Sequence, residues 1–286
     1  MKWNSLKNKI VWHYQNKWYP VLYSILPHRM GINPDDEHKV IISLTSIPSR
    51  IPRLHYVIER LLRQTVKPWK VILYLKEEEN LNENSLPANL KELCRYGLTI
   101  KWVENLNCHT KYYFSVMDYP DAVVITVDDD GWYSTRLVEY LMASYKRNPM
   151  CISAMHIHKV KYGADGNILP YNNWVKDYNE SDATIPNKDF FATGWGGVLY
   201  PPNLIKRDLL LDRDSIKKYC LRADDVWLYT MEYLSGIKVV KATDKNISVW
   251  SLSNSQTVSL HSHNVYLNRN DEYIQNMKRV YGVFEK

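Results

Sequence analysis

Asp128-Asp129-Asp130 closes an apolar run, Val123-Val124-Ile125-Thr126-Val127, of the kind that forms a strand buried on both faces. Unpaired buried charge costs several kcal/mol or more, so the acids must project past the strand's carboxyl end. Open α/β sheets bind their ligands at that end. Carboxylates this close repel one another unless a cation lies between them. Mg²⁺ or Mn²⁺ suits the position, because both take oxygen ligands and share their shell with substrate phosphates. The plainer reading is a solvated acidic turn ahead of a helix that starts near Ser134.

A second acid pair, Asp224-Asp225, opens the run Val226-Trp227-Leu228. A carboxylate at a helix start can take a proton from a hydroxyl under attack, or can simply cap the helix. Lys111, in His109-Thr110-Lys111-Tyr112, can offer a charged hydrogen bond to a phosphate or base oxygen. Trp195 in Thr193-Gly194-Trp195-Gly196-Gly197 can stack on a sugar ring, with Gly196 and Gly197 giving backbone room. Near the C-terminus, His261 and His263 stand two apart.

These residues need a frame. Lys39 to Leu44 reads as a first buried strand, followed by a loop, Thr45 to Arg50. Leu54, Val57, Ile58, Leu61 and Leu62 at helical spacing predict a helix over 52–64. Strands are expected at 71–75, 98–103, 123–127, 151–157 and 237–240. Helices are expected at 90–96, 134–147, from 224, and at 271–281. Residues 162–189 read as an irregular insertion over the sheet's edge, and 241–265 as loop. Strands alternating with helices predict an α/β fold, a mostly parallel central sheet with helices on both faces.

The chain has 286 residues, enough for a substantial core, and its 45% hydrophobic content is that of a globular protein. Tyr (22) and Trp (10) far outnumber Phe (4), favouring rings with a polar edge that suit wet clefts and sugar faces. A net charge of +6 with mixed signs does not make the dense basic stripe of a nucleic-acid binder. It suits anionic small molecules or an acidic membrane surface. Cys94, Cys108, Cys151 and Cys220 have no metal spacing and read as reduced thiols of a cytoplasmic protein. Residues 1–38 form a separate basic and aromatic segment. It reads equally as a peripheral membrane contact or as an arm packed on the domain of residues 39–286.

Four stretches in this order resemble the GT-A glycosyltransferases, the nucleotide-sugar-dependent class that includes many bacterial polysaccharide-assembly enzymes. They are Ile41-Ile42-Ser43-Leu44-Thr45 with Arg50, Thr126 to Asp130, Gly194-Trp195-Gly196-Gly197, and Asp224-Asp225-Val226-Trp227. Asp128 and Asp130 match the class's Asp-x-Asp motif. The resemblance implies a GT-A (Rossmann-like) sheet, a nucleotide-diphosphate donor such as a UDP-sugar, and Mn²⁺ or Mg²⁺ on Asp128 and Asp130. It implies that Thr45, Arg50, Lys111, Asp128 and Asp129 hold the donor. Trp195, Gly196 and Gly197 then face a saccharide or lipid-linked saccharide acceptor. Asp225 becomes the base of an inverting transfer, Asp224 orients the acceptor, and His261 or His263 completes the metal shell. The expected place of action is the cytoplasmic face of a membrane. Two rivals stand: a sugar nucleotidyltransferase, although Thr45 to Arg50 lacks the glycines that would grip a triphosphate, and a non-catalytic carbohydrate-binding scaffold.

Overall fold

Along Val40 to Thr45 the side chains alternate between two apolar layers, and that alternation organises the molecule. Val40, Ile42 and Leu44 face one layer; Ile41 faces the other. The computed structural model describes residues 30–76, 78, 81–245, 247–252 and 269–285, together with 10, 13, 14, 18 and 21.

Seven strands form one mixed sheet: β1 (Ile41–Thr45), β2 (Lys70–Leu75), β3 (Leu98–Trp102), β4 (Val124–Thr126), β6 (Cys151–Ala154), β9 (Val198–Tyr200) and β10 (Lys238–Lys241). Their order is β10-β6-β9-β4-β1-β2-β3. Every pairing is parallel except those of β9, which runs antiparallel between β4 and β6. Two small ladders flank the sheet. One joins β5 (Gly131–Trp132) to β11 (Trp250–Ser251), the other β7 (Ile157–Lys159) to β8 (Phe190–Ala192).

Helices cover both faces. On one lie α1 (Ile51–Leu62) and α3 (Leu137–Arg147). The stripe that α1 buries includes Leu54, Val57, Ile58, Leu61 and Leu62, the residues whose spacing predicts it. On the other face lie α2 (Thr110–Asp118), α4 (Asp224–Leu234) and α5 (Arg269–Tyr281). Fully burying one Leu or Ile contributes about 1.5–3 kcal/mol, so these two layers supply most of the stabilisation.

The expected elements appear within a few residues, with informative differences. Ser134 does not cap α3; its Oγ accepts the Arg136 N–H at 3.1 Å in a turn that precedes the helix. The insertion 162–189 does cover an edge. Asn187 exchanges backbone hydrogen bonds of 2.9 and 3.0 Å with Val239, shielding edge strand β10 from pairing with other chains. Of the described residues before 30, Tyr14 meets the Trp132 ring edge-on at 6.2 Å, while Ile10, Trp18 and Val21 are exposed. Among the described residues no helix is long and apolar enough to cross a membrane.

Candidate active site

Strand direction assembles the site. Ser43 of β1 lies opposite Thr126 of β4, so Thr45 and Asp128 leave the sheet side by side. Because β9 is reversed, its first residue, Val198, also pairs with Thr126. The loop from Gly194 to Gly197 therefore arrives at the same rim as the acids.

The acid turn is held from beneath by Tyr133. The Asp128 N–H donates to the Tyr133 hydroxyl at 2.7 Å, and that hydroxyl donates to the Asp128 carbonyl at 3.2 Å. Tyr133 is fully buried. A Cβ at Gly131 would lie 2.5 Å from the Tyr133 ring, so only glycine lets the tyrosine reach the turn.

Each acid has a distinct neighbour. Asp129 accepts from the Ser46 hydroxyl and from the Arg50 guanidinium. The second arm of Arg50 is 3.3 Å from Asp130 Oδ2. Burial pushes the Asp130 carboxyl up to about 7, with Asp128 and Asp129 adding to the rise and Arg50 opposing it. Lys111 Nζ donates to Asp128 Oδ1 at 2.7 Å and lies 3.0 Å from Asp224 Oδ2. The contact with Asp224 is an ion pair without hydrogen-bond alignment. Lys111 is buried, and burial disfavours its charge. Asp128, Asp224 and Asp225 outweigh that and hold its pKa well above the ordinary value.

Lys111 is positioned by β1. The Ser43 hydroxyl donates to the Lys111 carbonyl, and Ser115 Oγ donates to Ser43 Oγ at 2.9 Å. A serine inside an otherwise apolar strand thus ties the first turn of α2 to the sheet.

Asp224 and Asp225 open α4, but the N-cap is Ala223, which offers no side chain. The acids turn toward the cleft instead. Asp225 Oδ1 accepts the Gly194 N–H at 3.0 Å. Burial pushes Asp225 up to about 8, and Asp224 beside it adds to the rise. Burial also works to raise Asp224, yet Lys111 and His109 outweigh it and keep that carboxyl below its ordinary value. Two adjacent carboxyls with pKa values driven apart can divide the work of a proton acceptor and a fixed charge.

Thr45, Arg50, Lys111, Asp128, Asp129, Asp130, Trp195, Asp224 and Asp225 all line one cleft of about 1340 Å³. Thr45 uses its hydroxyl inside the fold, donating to the Tyr74 carbonyl at 2.9 Å. The structure differs from expectation at the glycines. Gly196 and Gly197, at φ +102° and +104°, stand against His156 and Leu137 and do not line the cleft. They make the turn into β9. The glycine that lies against the acids is Gly194, where a Cβ would lie 3.1 Å from both Asp225 Oδ1 and Lys111 Nζ. His261 and His263 lie outside the described residues.

Among the described residues no cluster of three or more His, Cys, Asp or Glu side chains is arranged to hold a metal ion. A divalent ion at a phosphate site needs fewer protein ligands, one or two carboxylates with the substrate supplying the rest. The donor set meets that need. Asp128 and Asp130 both reach the cleft, and of the five carboxylates there (128, 129, 130, 224 and 225) four pair directly with Arg50 or Lys111, while Asp225 accepts the Gly194 N–H.

No protein-family model and no curated protein sequence matches the chain. Solved structures do. A mannosyltransferase from Pyrobaculum calidifontis, in complex with GDP-Man and Mn²⁺, is similar at 11% identity and a TM-score of 0.50. That match covers 93% of this chain and 70% of the other. GalNAc-T7 with UDP, GalNAc and Mn²⁺ is similar at 10% identity and a TM-score of 0.51. It covers 85% of this chain, which spans 49% of that one. The fold is GT-A-like. A CMP:2-keto-3-deoxy-manno-octonic acid synthetase complexed with CTP matches at 12% identity and a TM-score of 0.41, too low to argue from. At these identities the likeness establishes architecture alone, and chemistry must come from the side chains.

Proposed function

We propose that the chain is a metal-dependent glycosyltransferase. It moves a sugar from a nucleotide-diphosphate donor, a UDP-sugar by preference, to a saccharide or lipid-linked saccharide acceptor with inversion. The observation that carries this reading is Lys111, a buried cation bridging Asp128 at the strand end and Asp224 beside Asp225. It locks an acidic, donor-type half and a base-bearing half into one cleft.

Asp225 removes the proton from an acceptor hydroxyl as that oxygen attacks the anomeric carbon. The bond from that carbon to the diphosphate breaks on the opposite side, and the nucleotide leaves with both electrons. The N–H of Gly194 keeps the Asp225 carboxyl aimed. Asp224, held charged by Lys111, orients the acceptor. Arg50 and Ser46 fix Asp129, and the turn so held keeps Asp128 and Asp130 at the cleft lining. Those two carboxylates would hold Mn²⁺ or Mg²⁺, which when bound supplies positive charge against the departing diphosphate. In the same reading His261 or His263 joins the ion, Thr45 borders the nucleotide, and Trp195 stacks on a sugar. Residues 1–38 contact an anionic membrane beside the domain of 39–286, with the exposed Ile10, Trp18 and Val21 as the contact. Polysaccharide assembly at an inner membrane face fits such a placement.

Hydrolysis of a panel of nucleotide-sugars, with and without Mn²⁺, tests the reading. Release of free sugar and nucleoside diphosphate supports it. Release of pyrophosphate from a nucleoside triphosphate would replace it with nucleotidyl transfer, and absence of metal-dependent turnover with every donor would leave a binding scaffold.

A further inference from the structure

The cleft continues to a wall that the transfer chemistry leaves without a role. It is built by the turn Tyr171–Asn173, by Lys176 in the loop that follows, and by His158 of β7. Lys176 Nζ is buried and donates no hydrogen bond among the described residues. No carboxylate there lies within ion-pair distance of it. The ammonium sits over the Tyr171 ring, 2.9 Å from its centroid, and 5.5 Å from that of Trp174. The acids that oppose it are Asp271 and Asp177, and both act only at a distance. Asp271 is turned elsewhere, with Oδ1 accepting the Tyr171 N–H at 2.6 Å. Burial pulls the Lys176 ammonium down to about 8. Such a charge has lost its water without gaining an anion, a costly state unless a ligand completes it.

His158 stands beside it with a fixed tautomer. Its Nδ1 accepts the Asp177 N–H at 3.1 Å, which places the ring proton on Nε2. Burial, reinforced by Lys176, lowers the imidazole to about 4, so the ring remains a neutral donor. Arg222 and Asp177 line the same cleft. Aromatic faces next to a cation are the chemistry of an acidic sugar: the ring stacks, and the ammonium meets the carboxylate or phosphate.

We propose that this wall is a subsite for an acidic group of the acceptor, a carboxylate or a phosphate, anchored by Lys176 with His158 Nε2–H as a second donor. The proposal deepens the transfer reading and rests on it for the word acceptor. The subsite itself is testable without turnover.

The test is calorimetry on the full chain with UDP and Mn²⁺ present. The probes are methyl glucoside, methyl glucuronide and glucose 6-phosphate. The expected result is binding of at least one acidic probe roughly tenfold tighter than methyl glucoside. Lys176→Met should erase that preference and Lys176→Arg should keep most of it. Whether the glucuronide or the phosphate binds tighter tells which acid the subsite takes. Equal affinity for all three, binding of none, or a preference that survives both Lys176→Met and Lys176→Gln would overturn the proposal. Donor hydrolysis by the unaltered protein is read separately. Acid preference without hydrolysis keeps the subsite and removes the transferase; hydrolysis without preference does the reverse.

Discussion

Lys111 Nζ lies 2.7 Å from Asp128 Oδ1, which fastens the first turn of α2 to the end of β4. The lysine is buried and also serves Asp224, so its removal strands the buried Asp224 carboxylate, while Asp128, 30% exposed, can still turn to water. Breaking a buried pair by deleting one partner costs about 3–5 kcal/mol. Lys111→Met should lose about that much in urea denaturation, and activity with it. A variant as stable as the parent would show that water already neutralises this pair. Lys111→Arg is no safe replacement, because a planar fork does not fit a point charge's place.

Asp225→Asn should keep the fold and the donor site. An amide oxygen can still accept the Gly194 N–H. The side chain can no longer take a proton, so transfer should fall by roughly 10²–10⁴-fold with donor affinity unchanged. Single-turnover kinetics with calorimetry reads both quantities. Near-normal transfer would move the base to another residue.

Asp130→Ala should abolish the Mn²⁺-dependent part of donor affinity while leaving weak metal-free binding. Arg50 keeps its contact with Asp129 in that variant, so the turn retains one of its two guanidinium contacts. Calorimetric titration of UDP with and without Mn²⁺ separates the terms. Equal affinity in variant and parent would place the ion elsewhere.

Glu232 gives a prediction read in stability alone. It is buried on α4, both carboxyl oxygens lack hydrogen bonds among the described residues, and burial, with Asp225 adding, pushes it up to about 8. Below about pH 4.5 folded and unfolded chains both hold this proton. As pH rises from there to about 8, the unfolded chain releases it and the folded one keeps it. Stability should therefore fall across that window, by about 1.4 kcal/mol per pH unit at most. Glu232→Gln should flatten this slope, with the largest gain in unfolding midpoint near pH 8 and little near pH 5. Parallel pH profiles for the two proteins would mean that Glu232 is ionised inside the fold.

Much of this architecture is legible in local pattern. The stripe Leu54, Val57, Ile58, Leu61, Leu62 and the run 123–127 carry their own periodicity, and α1 and β4 stand where it predicts. The direction of β9 is not legible, because Val198-Leu199-Tyr200 reads as a strand either way round. What reverses it is the turn at Gly196 and Gly197, whose positive φ values no spacing rule announces. The same limit holds within Gly194 to Gly197. Three glycines look alike in sequence, but only their neighbours separate the one beside Asp225 from the two that make a turn.

Partners that meet only once the chain folds leave little sign in the sequence, for a related reason. Tyr133 has no unusual neighbours along the chain, and its hold on Asp128 exists only once Gly131 lets it fold back. Ser43 did leave a trace, a hydroxyl in a run of aliphatics, and a buried hydroxyl must find a partner. Lys176 left none, since a lysine in a polar stretch is ordinary until its ammonium is found covered.

The reversed course of β9 also divides the molecule into a working end and a spare one. Its entry meets the acids, so lengthening the chain between Phe191 and Val198 would disturb Gly194 and Asp225 directly. Its exit runs through Pro201-Pro202-Asn203 at the opposite end of the strand, where Asn203 is exposed. A tag, tether or extra module grafted there would hang from the back of the sheet and leave the cleft mouth clear.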